Sequence, residues 1–267
     1  MVDLVIATLR ASARLAGLLA LTLVCWLAVL LGLLLTLPTH RARRWVQRAV
    51  FRAWSRAFCR LLGARISTRG EPPRPPCLVV SNHLSYVDVM VLATVLPARF
   101  VAKAEVRGWP VIGVVSRSVD TLFVDRAARR DALRVGREMA EGLRRGDAIL
   151  LFPEGTSSAG HAVSSFKPPL LAPAALERLP VHYAACRYVT PPGQPPAHLR
   201  VCWWGNMPFV IHFWRMMAMP GFRAEVTFGP APVTHGDRKE LARRLHAGVS
   251  DLFEPVVDHE PQSTGYR

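Results

Sequence analysis

The sequence predicts a mixed α/β domain with a largely covered sheet flanked by helices, following an N-terminal membrane-anchoring helical segment. Three observations predict it. From Cys77 onward, short apolar runs of strand length alternate with longer helical patterns, as expected of a sheet with helices on its faces. Leu15 to Leu37 is 23 residues without a charge, dominated by leucine. Between them lie a basic amphipathic stretch and the proline-rich Glu71–Pro76, which reads as a linker. The expected domains are therefore an anchor over 1–70 and an α/β unit over 71–267. A chain of 267 residues has ample material for one large core.

As a helix, residues 15–37 would be about 34 Å long, enough to cross a hydrocarbon core of roughly 30 Å. The same helix could instead lie embedded in one leaflet. Leu35-Thr36-Leu37-Pro38 is a poor small-residue cleavage site, which argues against a removed signal peptide. In the next stretch, 44–62, Phe51, Trp54, Phe58 and Leu61 recur at helical spacing. Arg44, Arg48, Arg52, Arg56 and Arg60 recur every fourth residue. Like charges at that spacing repel by a few tenths of a kcal/mol per pair. Anionic head groups offset this, at about 1 kcal/mol per basic residue near the surface. A membrane-surface helix is expected, over the alternative of a solvated face on a helix packed against the domain. If 15–37 spans, these arginines place the following domain on the cytoplasmic side.

The charge supports the same picture. The formal net charge is +15, and residues 1–70 hold eleven arginines against one acid, Asp3. A basic block beside a very apolar one points to an anionic membrane surface. A nucleic-acid binder would carry the excess on its soluble domain. The five cysteines (25, 59, 77, 186 and 202) form no CxxC pair, so neither a disulfide framework nor a zinc site is expected, and a reducing compartment fits.

Within the α/β unit, strands are expected at 77–80, 99–103, 121–124, 147–152, 181–188, 199–204 and 224–228. Helices are expected at 87–95, 111–115, 126–145 and 237–253. The helix over 126–145 is charged and amphipathic, carrying Leu133, Met139 and Leu143. Active sites collect at strand-end loops in such domains, and two loops carry chemistry.

The first is Ser81-Asn82-His83-Leu84-Ser85-Tyr86-Val87-Asp88, between a strand and a helix. Positions five apart do not face each other on one helix. His83 and Asp88 therefore meet only if the histidine lies in the turn and the aspartate in the helix's first turn. A carboxylate so placed fixes the imidazole tautomer while the ring takes a proton from a hydroxyl, which is general-base catalysis. Ser85-x-x-Asp88 also fits a helix N-cap, in which Asp88 serves only the helix terminus. The second loop is Phe152-Pro153-Glu154-Gly155-Thr156-Ser157-Ser158. It combines a bend, an exposed carboxylate and three hydroxyls, suited to a polar head group. The alternative is a turn whose hydroxyls bond their own backbone.

Together these stretches resemble the glycerolipid acyltransferase family, which includes 1-acylglycerol-3-phosphate O-acyltransferases and other lysophospholipid acyltransferases. Asn82–Asp88 is similar to its N-H-x-x-x-x-D block, Leu122-Phe123-Val124-Asp125-Arg126 to its second, and Phe152–Thr156 to its third. Leu179-Pro180-Val181 looks like the proline-centred fourth. The likeness covers roughly residues 45–230. It implies an O-acyltransferase of phospholipid biosynthesis in which His83 is the general base and Asp88 its orienting partner. The acyl group would come from an acyl thioester, acyl-CoA or acyl carrier protein as co-substrate, with no metal or other cofactor. Glu154, Gly155 and Thr156 would bind the acceptor, with Arg126 and Lys103 as phosphate or head-group contacts.

Two positions depart from the family. Its third block usually continues with an arginine that holds the acceptor phosphate, where this chain has Ser157; its second opens with glycine, where this chain has Asp120. The expected acceptor is 1-acylglycerol 3-phosphate, giving phosphatidic acid. The alternative is the lyso form of an ornithine lipid, whose enzymes tend to carry Glu-Gly-Thr-Ser-Ser, with Arg126, Lys103 or Lys167 as substitute cations if the acceptor is a phosphate. A reading from another class is a catalytically silent lipid-binding protein on the same scaffold.

Overall fold

The computed structural model describes residues 2–35, 40–109, 112–125 and 129–261. Its centre is Cys77–Ser81 (β2), buried at every position, as befits a strand covered on both faces. β2 pairs in parallel with Ala148–Leu151 (β5) on one side and Val181–Val189 (β6) on the other. Adding Ala64–Arg69 (β1), Ala98–Lys103 (β3), Leu122–Val124 (β4) and Phe222–Phe228 (β7) gives seven strands, in the order β1-β7-β6-β2-β5-β3-β4. Among the pairings of the described strands, β6–β7 alone is antiparallel. The fold class is the mixed α/β expected.

Helices cover both faces of the sheet. Val79, Leu150 and Ala184 point toward His40–Leu61 (α2), Val87–Val95 (α3) and a later helix, where they meet Phe58, Leu92 and Met216. Leu78, Val80, Ile149 and Leu151 point the other way. They meet Met139 of Arg129–Arg144 (α5), Ala175 of Ala172–Leu176 (α6) and Leu245 of Arg238–Leu252 (α9). The short helices Ile112–Ser118 (α4) and Ala197–Arg200 (α7), and Phe209–Ala218 (α8), which carries Met216, complete the set described. Fully burying such side chains stabilises by about 1.5–3 kcal/mol each.

Several expectations change. The Glu71–Pro76 stretch does not divide the chain into separate bodies, because β1 precedes it and already lies in the sheet, paired with β7. Residues 199–204 are not a strand. Pro196 sets the entry to α7, and Val201 and Cys202 both donate their N–H to Ala197 O, closing a helical turn. α8 takes up a stretch for which no element was expected. The starts of the helices expected at 111 and 126 lie outside the described residues, as do Thr36, Leu37 and Arg126.

On α2, Phe51, Trp54 and Phe58 are buried as their spacing predicts. Two of the five arginines, however, turn into the protein. Arg48 pairs with Asp147, and Arg52 Nε donates to Thr94 O at 3.2 Å. Asp147 also accepts from Arg99 Nη1 at 3.3 Å, while Arg99 Nε reaches Asp120 Oδ2 at 3.0 Å. Asp120 has a φ of 60°. Glycine fits that left-handed conformation freely and aspartate tolerates it; here the aspartate adds an ion pair.

Val2–Leu35 (α1) is longer than its charge-free stretch. Its span Asp3–Gly32 is apolar and long enough to cross a membrane, with little of it buried. Leu4, Leu9, Leu23, Leu27, Leu31 and Leu34 are all exposed. The other side packs on α2, where Trp54 Nε1 donates to Thr22 Oγ1 at 3.1 Å. It also packs on the C-terminus of α8. Arg10 donates to Ala218 O, and Arg14 to Met217 O, Met219 O and Pro220 O. Those guanidiniums satisfy carbonyls that a helix end leaves without partners.

Candidate active site

The parallel strands deliver their C-terminal ends to one edge of the sheet, and both expected loops meet there because β2 and β5 are neighbours. Asn82 continues the β2–β6 ladder with its side chain. Its Nδ2 donates to Cys186 O at 3.0 Å, and its Oδ1 accepts from Cys186 N at 2.7 Å. His83 then leaves the strand. Its Nδ1 lies 2.7 Å from Asp88 Oδ2, at the first turn of α3.

Asp88 is fully buried. Its Oδ2 also accepts from Leu84 N at 2.7 Å and Ser85 N at 3.0 Å, and its Oδ1 accepts from Tyr188 Oη at 2.5 Å. The carboxylate thus serves the turn before the helix as well as the imidazole. Because a carboxylate accepts, the ring donates from Nδ1 and keeps its lone pair on Nε2. The His83 side chain is 21% exposed, and its ring stacks on Phe152 at 4.2 Å between centroids. A fixed tautomer and a fixed ring plane make an imidazole ready to take a proton from a hydroxyl.

Glu154 is reached through a turn in which Gly155 N donates to Phe152 O, with Pro153 at the second position and Gly155 at a φ of 82°. Its side chain is buried rather than exposed. Oε1 accepts from His83 N at 2.6 Å and Oε2 from Ser164 N at 2.9 Å. Burial pushes its carboxyl above the ordinary range, and the two amides oppose that. Glu154 therefore ties the second loop to the backbone of His83, and Ser158 N adds a bond to His83 O at 3.0 Å. Thr156 is exposed. Lys103, at the end of β3, pairs with Glu105 at 3.0 Å, both half-exposed or more. Lys167 N donates to Pro153 O, which places that exposed lysine beside the second loop. Arg126 lies outside the described residues.

Two contributors carry no local sequence signal. Tyr188 comes from β6, 100 residues beyond Asp88. The segment after α7 closes on both loops: Trp203 N donates to Leu84 O, and Ser157 Oγ donates to Trp203 O. Tyr86, inside the first motif, bonds His212 Nδ1 of α8 at 2.9 Å. It sits edge-on to Trp203 and Phe209. A tight donor–acceptor pair within one loop shows in the sequence; partners from other strands do not. An apolar cavity of about 360 Å³ lies apart from these residues, between α1, α2 and α4, lined by Leu23, Trp26, Phe51 and Val115 among others.

The chain is similar to known proteins in sequence and fold. Residues 56–184 match the family model described as Acyltransferase. A lyso-ornithine lipid O-acyltransferase of Pseudomonas aeruginosa is 34% identical, over 89% of this chain and 90% of that protein. A 1-acyl-sn-glycerol-3-phosphate acyltransferase of Neisseria gonorrhoeae is 31% identical, over 60% of this chain and 62% of that protein. The crystal structure of the 1-acyl-sn-glycerophosphate (LPA) acyltransferase PlsC from Thermotoga maritima has the same fold. It matches with a TM-score of 0.57 and 22% identity, covering 90% of this chain and 97% of that one.

Proposed function

We propose, for a chain that belongs to the acyltransferase family and is an O-acyltransferase of lipid biosynthesis, that the acceptor is the free hydroxyl of a lyso-ornithine lipid. Ser157 carries the choice. It stands where the family resemblance leads one to expect an arginine, and its hydroxyl is directed to Trp203 O. A phosphate monoester at this loop would lack that bidentate, charge-assisted contact. A zwitterionic ornithine head group does not require it. The Pseudomonas relative, named for that acceptor, aligns over nearly the whole chain and supports the same choice. The second reading is 1-acylglycerol 3-phosphate as acceptor, favoured by Lys167 beside the Glu154 loop.

In either case the chemistry is the same. His83 Nε2 takes the acceptor's hydroxyl proton as the oxygen attacks the carbonyl of an acyl thioester, acyl-CoA or acyl carrier protein. Collapse of the tetrahedral intermediate breaks the C–S bond, and the imidazolium returns the proton to the thiolate. Asp88 stabilises the imidazolium and holds its tautomer. Glu154 holds the histidine's backbone, with Gly155 and Thr156 beside the acceptor. No metal or redox cofactor enters these steps.

The exposed face of α1 associates with the membrane, and the arginines that follow it favour an anionic surface. Since α1 runs against α2 and α8 for much of its length, immersion in one leaflet suits it better than spanning. The deciding experiment offers the purified protein an acyl thioester with each lysolipid in turn. Transfer to lyso-ornithine lipid is expected. Transfer only to 1-acylglycerol 3-phosphate selects the second reading, and transfer to neither, with a working control enzyme, overturns both.

A further inference from the structure

The geometry points to α8 as a second membrane-seated element: we infer that its outer face inserts into the head-group region of an anionic lipid monolayer beside α1. Val210 is 76% exposed, Ile211 47% and Trp214 37%. At 100° per residue these three fall within one arc of about 100°. The opposite face is the inner one, where His212 and Met216 are buried. A single exposed apolar side chain needs no explanation, as with Leu176 at 84% on the far side of the sheet. Three on one arc of one short helix, with a tryptophan among them, are a patch.

Its place in the fold indicates what covers it. The C-terminus of α8 is clasped by Arg10 and Arg14 of α1. The exposed apolar arc of α1 begins one turn away, at Leu4, Val5, Ile6 and Leu9, and continues to Leu35. The helix that carries the patch therefore packs directly against the helix with the exposed apolar face. Exposed Arg215 flanks it, and Arg56 and Arg60 are exposed on α2. An apolar face flanked by an arginine suits the boundary between acyl chains and anionic head groups. The inner side of α8 touches the catalytic loop, with Phe209 5.0 Å from Tyr86 between ring centroids and His212 bonded to its hydroxyl. Seating α8 in the monolayer thus brings the His83 loop to the depth where a lipid hydroxyl arrives.

This rests on the membrane-associated reading of α1, and the test separates the two. The full chain carries a single introduced cysteine with a fluorescent bimane, in a Cys25→Ser background, since the remaining four thiols are buried. The label is placed by Val210→Cys, Trp214→Cys, Leu27→Cys on α1, or Leu176→Cys as a water-facing control. Each is bound to vesicles of phosphatidylglycerol and phosphatidylethanolamine with brominated acyl chains. Labels at 210 and 214 are expected to be quenched to the extent seen at 27, with none at 176. Quenching at 27 without quenching at 210 and 214 overturns the α8 proposal alone. Absence of quenching at all four positions overturns the membrane reading and this proposal with it.

Discussion

The hydroxyl of Tyr188 donates to Asp88 Oδ1 at 2.5 Å, from a strand 100 residues further along the chain, and both side chains are buried. Burial, followed by the charge of Asp88, drives the phenol's pKa well up, so it stays a donor across the working range. Tyr188→Phe leaves that carboxylate oxygen without its donor. The expected cost is about 1–3 kcal/mol of stability and roughly a tenfold loss of turnover as the pair loosens. Denaturant unfolding and steady-state rates measure the two separately; unchanged turnover would assign Tyr188 to packing alone.

His83→Ala is expected to reduce transfer to background. Asp88→Asn is expected to cost about 10³–10⁴ in kcat, by presenting the wrong group to Nδ1. Circular dichroism should show both variants folded. Retained activity in both would return Asp88 to the service of the turn.

Ser157→Arg restores the cation expected from the family resemblance and breaks the bond to Trp203 O. The ratio of kcat/KM for 1-acylglycerol 3-phosphate over lyso-ornithine lipid should rise about tenfold or more, the worth of one charge-assisted contact. A ratio that does not move would place acceptor choice elsewhere in the loop.

His212 is buried, and its pKa is lowered to about 4, chiefly by desolvation. The sign follows from linkage. A histidine held neutral in the fold contributes stability that is complete above about 6.5, and this is lost as pH falls toward 4. Wild-type protein should lose of order 3 kcal/mol across that window. His212→Gln, which can still bond the Tyr86 hydroxyl, should show a flatter profile in thermal melts from pH 4 to 7.5.

The sheet and the His83–Asp88 pair were legible in the sequence because each depends on local signals, apolar runs in one case and a five-residue spacing in the other. Residues 199–204 misled. Leu199-Arg200-Val201-Cys202-Trp203-Trp204 has strand composition, but Pro196 starts a helical turn, Trp204 bonds back to His198 O, and Trp203 is drawn to the His83 loop. Glu154 looked exposed because a bend usually is; only the adjacency of β2 and β5 turns it inward to His83 N. Arg48 and Arg52 looked like members of a lipid-facing row because a four-residue period cannot reveal their partners, Asp147 for Arg48 and Thr94 O for Arg52, 99 and 42 residues further along the chain.

The clasp between Arg14 and the end of α8 joins residues 203 apart, and β1 likewise waits for β7. A ribosome adding about 5–20 residues per second takes roughly 10–40 s to cover that distance. For that interval the nascent α1 has α2 beside it but not α8, and β1 lacks β7. The N-terminal part of α1, where Arg10 and Arg14 sit, is therefore fixed only once the end of α8 has been made.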